Sequence, residues 1–233
     1  MNSRLELFRP YPTNTITQVF SENANVSYAR DGLIGHTSED YGVPYGTPIP
    51  CCADDSYCYS LMNHNNPDLM RFRAVYTLVE TDAGIYEISY GHCSSMTAEV
   101  GKTYKAGDII GRIGNTGTVF TGSHEVTSAE KNAGSWAGAH LHGPQVRPVR
   151  KVTKVNRSQT YLYDQTGRLF KDGFYFEVID YNNGLNGCVD PAPFYASIMA
   201  SEAQRVKANL KAQITLLSKI VELLQKLVLL VRK

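Results

Sequence analysis

Charge and long apolar runs are both scarce in this sequence. Asp, Glu, Lys and Arg make up 19% of its 233 residues, and tryptophan occurs once. The opening residues, Met1-Asn2-Ser3-Arg4-Leu5-Glu6-Leu7, contain no apolar core of the length a secretory signal needs, so no export signal is expected. The most apolar stretch, residues 214–231, has twelve apolar residues in eighteen but is interrupted by Lys219, Glu222 and Lys226. A spanning helix needs about 20 predominantly apolar residues with few or no charges, which argues against a transmembrane anchor. Net charge is +1, and residues 201–233 contribute +5 from seven Lys/Arg and two Glu, leaving −4 for the body. A nearly neutral body lacks the basic groove that nucleic acid requires. The five cysteines (Cys51, Cys52, Cys58, Cys93 and Cys188) cannot all pair within one chain. No Cys-x-x-Cys pair completes a zinc knot with Cys51, Cys52 and Cys58, so buried thiols or one local disulfide are expected. There is no internal repeat and no low-complexity linker.

What is present points to a mainly β fold. Nineteen glycines and fifteen tyrosines suit short strands joined by tight turns. Residues 15–20 read as a strand. Residues 74–80 and 85–90 read as a hairpin about Thr81-Asp82-Ala83-Gly84, with His92 just beyond it. The regular glycines of 100–117 break that region into short β segments. Residues 118–137 read as a long surface loop carrying Trp136, and 145–156 and 160–180 read as strands, with a turn at 164–167. Val189-Asp190-Pro191-Ala192-Pro193-Phe194 closes the body. From Ser197 glycine and proline disappear. Ile214, Leu217, Val221, Leu224, Val228 and Val231 then recur at alternating spacings of three and four, the seam of a helix packed on another helix. Leu216, Leu223 and Leu230 add a second stripe. The organisation expected is a body over 1–196 and an amphipathic helix over 197–233. That helix is expected to serve self-association first, or contact with a membrane surface, which its basic charge would favour.

The chemistry concentrates in histidines. His36 and Asp40 are four apart, His92 follows a strand, and His140 and His142 share a face if their segment is extended, because strand side chains alternate. Such a set can build a zinc site from two imidazoles and one carboxylate with a position left open. Two further histidines beside it could move protons or stabilise an oxyanion. Trp136 could line the same groove or simply pack its loop. His64 and His124 fall in no pattern and read as surface residues, and Cys93 reads as a buried thiol.

These residues, in this order, resemble the lysostaphin-type (LytM-like) zinc endopeptidases that cut peptides of bacterial peptidoglycan. The motifs are His36-x-x-x-Asp40, Tyr90-Gly91-His92, the run Gly111 to Gly117 with its Gly114-Asn115-Thr116-Gly117 turn, His140-Leu141-His142, and the Val189-Asp190-Pro191 ending. The match spans about residues 15–195. The resemblance implies a small, mostly antiparallel sheet with the metal in a groove flanked by loops. It also implies that His36, Asp40 and His142 bind Zn2+ and that His140 and His92 are the catalytic histidines. A chain of this kind without an export signal would be a phage lysin or virion-associated enzyme. A different class, a non-catalytic wall-binding or virion structural protein on the same fold, would be expected to have lost ligands. The sequence departs from the pattern in three places. The insert 118–137 is long, Gly143-Pro144 replaces the usual Phe-Glu after the second histidine, and about 45 residues separate His142 from Asp190-Pro191.

Overall fold

In chain order the strands are β1 (Ile16–Gln18), β2 (Asp40–Tyr41), β3 (Pro48–Pro50), β4 (Ser56–Met62), β5 (Ala74–Thr81), β6 (Gly84–Gly91), β7 (Cys93–Met96), β8 (Thr103–Tyr104), β9 (Ile109–Ile113), β10 (Phe120–Thr121), β11 (His124–Glu125), β12 (Leu141–Val152) and β13 (Tyr175–Val178). Two short helices, α1 (Ser27–Arg30) and α2 (Ser128–Asn132), interrupt them. The computed structural model describes residues 4–22, 27–170 and 173–196. The amphipathic helix expected over 197–233 lies outside the described residues. No helix among the described residues is long and apolar enough to cross a membrane.

One antiparallel sheet runs β1-β2-β12-β6-β5-β4-β8, with β13 added to β12, and a second, three-stranded sheet runs β3-β9-β7. The expected hairpin is present, β5 pairing β6 from Val75↔Tyr90 to Thr81↔Gly84. Its alternation sorts two faces. Val75, Val79, Ile88 and Tyr90 join the main core with Ile49, Ile110 and Ile113 of the smaller sheet. Leu78, on the opposite face, packs with Val149, Leu162, Phe176 and Val178.

Strand β12 carries the organising irregularity. Its register against β6 runs His142↔Gly91 and then Gln145↔Ser89, so three residues of β12 span two of β6. One extra residue in a strand reverses the facing of everything after it. Leu141 and Val146 therefore both reach the main core although their numbers differ in parity. His142 and Gln145 share the other face.

Two expectations need correcting. The insert 118–137 lies mostly at the surface, as expected, but it is not without regular structure. It forms the β10–β11 hairpin and α2, whose first turn is closed by Thr127 and Glu130 in a reciprocal capping box. The Thr-x-x-Glu spacing was a local sign of that helix. The region 160–180 is not a pair of full strands, because only Tyr175–Val178 is regular, with isolated bridges at Tyr161↔Glu177 and Tyr163↔Leu169. Short polar turns at Asp164 and Asn156 capture the backbone there instead.

Below the second face lies a buried ion pair. Glu87, 1% exposed, accepts from Arg147 Nη2 at 2.5 Å and Nε at 3.1 Å, and from Tyr59 Oη at 2.5 Å. Removing one partner of a buried pair strands the other charge in low dielectric. Arg147→Ala is expected to cost about 3–5 kcal/mol, read from the urea denaturation midpoint.

All five cysteines are free and buried. The buried-thiol expectation therefore holds, and no disulfide forms. Burial pushes the Cys58 thiol up to about 11 and those of Cys93 and Cys188 up to about 12, against an ordinary 9.0. Between the ordinary value and these raised values the native chain holds more protons than the unfolded chain. Their contribution to stability is therefore complete below pH 9.0 and is lost as pH rises beyond it. The native protein is expected to resist thiol alkylation at about pH 8 and to unfold at lower denaturant as pH climbs past 9.0. Stoichiometric labelling of native protein within minutes would contradict this.

Candidate metal centre

Asp40 opens β2 and pairs with His142, which in turn faces Gly91 across β12·β6. That ladder brings residues from three distant parts of the chain to one spot. His36, four residues before Asp40, closes the set from the approach to β2. His36 Nε2 lies 3.0 Å from His142 Nδ1 and 3.2 Å from Asp40 Oδ1, and His142 Nδ1 lies 3.0 Å from Asp40 Oδ1. Donors of a tetrahedral zinc at about 2.0–2.1 Å stand about 3.3 Å from one another. Three lone-pair atoms already converge almost at that spacing, two borderline nitrogens and one carboxylate oxygen, so the donor set fits Zn2+. Among the described residues this is the group of His, Cys, Asp and Glu side chains with metal-binding geometry.

The other two histidines lie beside it. His140 Nε2 is 3.3 Å from Asp40 Oδ2, while its Nδ1 is held 2.8 Å from the Gly138 carbonyl. His92 Nδ1 is 2.5 Å from the Thr116 carbonyl, and its ring centroid lies 4.4 Å from that of His140. In each ring the proton therefore sits on Nδ1, donated to a backbone oxygen, and Nε2 is the basic nitrogen. Burial, reinforced by His140 and His142, holds His92 well below the ordinary histidine value, so it is neutral at pH 7. Burial likewise lowers His142. Burial alone would raise the Asp40 carboxyl, but His140 and the hydrogen bonds of His142 and His36 hold it well below 3.8.

Close backbone approach makes room for this cluster. His92 has φ +60°, a left-handed conformation uncommon outside glycine. A Cβ on Gly91 would lie 2.4 Å from Phe72 Cζ, and it is Phe72 that stands edge-on to His92 with centroids 4.9 Å apart. The Gly-Asn-Thr-Gly turn is tied to the insert. Asn115 Nδ2 donates to the Ser135 and Ala137 carbonyls at 2.9 and 3.1 Å, and buried Lys131 of α2 donates to the Gly117 carbonyl. The insert thus braces the turn that fixes the His92 ring.

Asp40 is anchored from the opposite side. Its neighbour Glu39, 5% exposed, accepts from Tyr41 and Tyr195 at 2.7 Å each and from Arg9 at 2.8 Å. The beginning and end of the described body therefore lock onto the strand that carries the carboxylate. A groove of about 750 Å³, bordered by Tyr28, Phe72, Thr118 and Phe120, opens onto His36, Asp40, His92, His140 and His142.

All five site residues expected from the sequence are thus brought together. Trp136 is not among the groove residues; it stacks on Tyr45 at 5.7 Å and is 68% exposed. His64 is exposed, and His124 lies 3.0 Å from Glu130 in the insert, away from the cluster. Sequence reasoning missed Thr37, Gln145 and Ser89, which contact His142 or one another. Thr37 was marked only by lying between His36 and Asp40, and the place of Gln145 depends on the β12 irregularity.

No protein-family model matches this sequence, and no curated protein matches it. Among solved structures, one described as LytU is 21% identical, with 79% of this chain and 86% of that one covered and a TM-score of 0.42. The catalytic domain of the prophage-encoded M23 protein EnpA from Enterococcus faecalis, crystallised as a mutant, is 21% identical over 60% of this chain and 85% of that one, TM-score 0.36. The catalytic domain of the antimicrobial peptidase lysostaphin from Staphylococcus simulans is 19% identical over 81% and 87%, TM-score 0.35.

Proposed function

We propose that this chain is a zinc-dependent endopeptidase of the lysostaphin type that cleaves peptide cross-links or stem peptides of bacterial peptidoglycan. The observation that carries the reading is the convergence of His36 Nε2, Asp40 Oδ1 and His142 Nδ1 beside two histidines whose Nδ1 atoms are tied to backbone carbonyls, all opening on one groove. His36, Asp40 and His142 would hold the metal. When bound there, zinc supplies Lewis acidity and a nucleophile at neutral pH. His140 would take up at Nε2 the proton lost by the attacking water and pass it to the leaving amide nitrogen, and the imidazolium formed in between would lie 3.3 Å from Asp40 Oδ2, which stabilises it. Neutral His92 presents a second basic Nε2 to the groove, held in place by its Nδ1–H on Thr116.

The test is digestion of defined peptidoglycans with mass spectrometry of the products. New amino and carboxyl termini within the peptides are the expected result, and products of glycan cleavage alone would overturn the reading. In biological setting we place the enzyme as a phage lysin or virion component acting on the wall, a placement that detection in purified particles would test. For residues 197–233 the proposal is self-association through the seam at 214–231. Deleting 201–233 should lower the mass seen by light scattering while cleavage of small peptides persists. A full-length monomer in detergent-free solution would overturn it.

A further inference from the structure

We infer that Thr37, held in place by Gln145 and Ser89, fixes His142 in the tautomer that presents Nδ1 to the metal. The inference rests on the zinc reading above and extends it to residues outside the donor set. A neutral imidazole carries one proton on its two nitrogens, and the nitrogen that ligates a metal must be the bare one. His142 turns Nδ1 to His36 and Asp40, so with a metal bound there its proton would sit on Nε2 and need an acceptor. The group facing Nε2 is the hydroxyl oxygen of Thr37, a residue 7% exposed, at 3.4 Å. Among the described residues the second imidazole of the set has no such partner, since His36 Nδ1 is enclosed without a hydrogen bond. Of the two imidazole donors, His142 is therefore the one whose outer nitrogen has a partner, and that partner is Thr37.

Thr37 is itself held. Gln145 Nε2 donates to Thr37 Oγ1 at 2.7 Å, which pins the rotamer that aims the oxygen at the ring. Only one lone pair is used this way, and the other remains for His142 Nε2–H. Gln145 turns its nitrogen rather than its oxygen toward Thr37 because Ser89 Oγ–H donates to Gln145 Oε1 at 2.8 Å. Ser89 and Gln145 stand directly opposite across β6·β12. Gln145 reaches the histidine face because of the extra residue in β12 after His142. In the regular alternation position 145 would face the core with Leu141. The replacement of Phe-Glu by Gly143-Pro144 thus comes with a hydroxyl-amide-hydroxyl chain running along the sheet into the site.

The experiment measures zinc affinity by competition with a chromogenic chelator, together with the thermal midpoint of the metal-free protein. Thr37→Val keeps the side-chain shape and removes the acceptor. It is expected to weaken zinc binding about 10–100-fold, the range usual for partners of ligating histidines, with little change in the metal-free midpoint. Thr37→Ser should restore affinity to within a few-fold. Gln145→Met should weaken binding less, and the Thr37→Val, Gln145→Met double variant should bind no more weakly than Thr37→Val alone, because Gln145 acts through Thr37. Ring 15N shifts of the zinc-loaded wild type should place the His142 proton on Nε2. If wild type binds zinc and Thr37→Val binds it equally well, this assignment falls and the zinc reading stands. Additive losses in the double variant would remove Gln145 from the chain. If wild type binds no zinc at all, the zinc reading falls and this inference with it.

Discussion

Replacing His140 by alanine is expected to leave zinc bound and to slow peptide cleavage by about 10²–10⁴-fold, the usual contribution of a positioned acid or base. The expectation follows from the placement of its nitrogens. Nδ1 is committed to the Gly138 carbonyl at 2.8 Å, so Nε2 is the nitrogen left for proton transfer, and Asp40 Oδ2 lies 3.3 Å away to stabilise the charge it acquires. No other carboxylate among the described residues lies within 4.0 Å of either His140 nitrogen. His92→Ala should act in the same direction, since its ring is equally fixed, by Thr116 at 2.5 Å, and stands 4.4 Å from His140. Zinc content by mass spectrometry and turnover on a defined wall peptide should be measured on the same preparations. Retained metal with lost turnover is the expected pattern. A His140→Ala enzyme that cleaves at the wild-type rate would remove this residue from the chemistry.

His142→Ala is expected to do the opposite first: zinc should fall from about one equivalent per chain to a small fraction, and activity with it. The imidazole is the hinge of the donor triangle, 3.0 Å from both His36 Nε2 and Asp40 Oδ1, so its loss leaves two donors for an ion that needs three from the protein. His36 and Asp40 then remain as an adjacent imidazole and carboxylate, 3.2 Å apart, which pair with each other. Circular dichroism should show the sheet unchanged, because β12 keeps its backbone pairing to β2 and β6 at this position. A His142→Ala protein with full metal content and full activity would refute the ligand set.

The two variants separate roles that the sequence alone does not separate. His140 and His142 are two residues apart on one strand face, and either could ligate by spacing. Geometry divides them. The His142 nitrogen meets His36 and the near oxygen of Asp40, whereas the His140 nitrogen meets the far oxygen of the same carboxylate. One aspartate thus touches His36 and His142 through one oxygen and His140 through the other.

What the sequence determined by itself is whatever is written in local pattern. The β5–β6 hairpin was legible because alternation and a turn tetrapeptide lie within eighteen residues of one another. The buried thiols, the surface positions of His64 and His124, and the order of the histidine motifs were equally local. The helix in the insert was marked too, by Thr127 and Glu130, but a capping box spanning one turn was outweighed by the polar composition around it. The tertiary structure decided what depends on register. His36 and His142 are 106 residues apart, and only the β2·β12·β6 ladder brings their nitrogens to 3.0 Å. The facing of Gln145 depends on one extra residue in β12, which reverses inside and outside along the rest of the strand, and alternation counted along the chain cannot reveal it. The clasp of Arg9, Tyr41 and Tyr195 on Glu39 joins residues that no spacing relates. Side-chain chemistry is carried by the sequence, but which lone pairs meet is set by strand pairing over long loops, and that is a property of the folded chain.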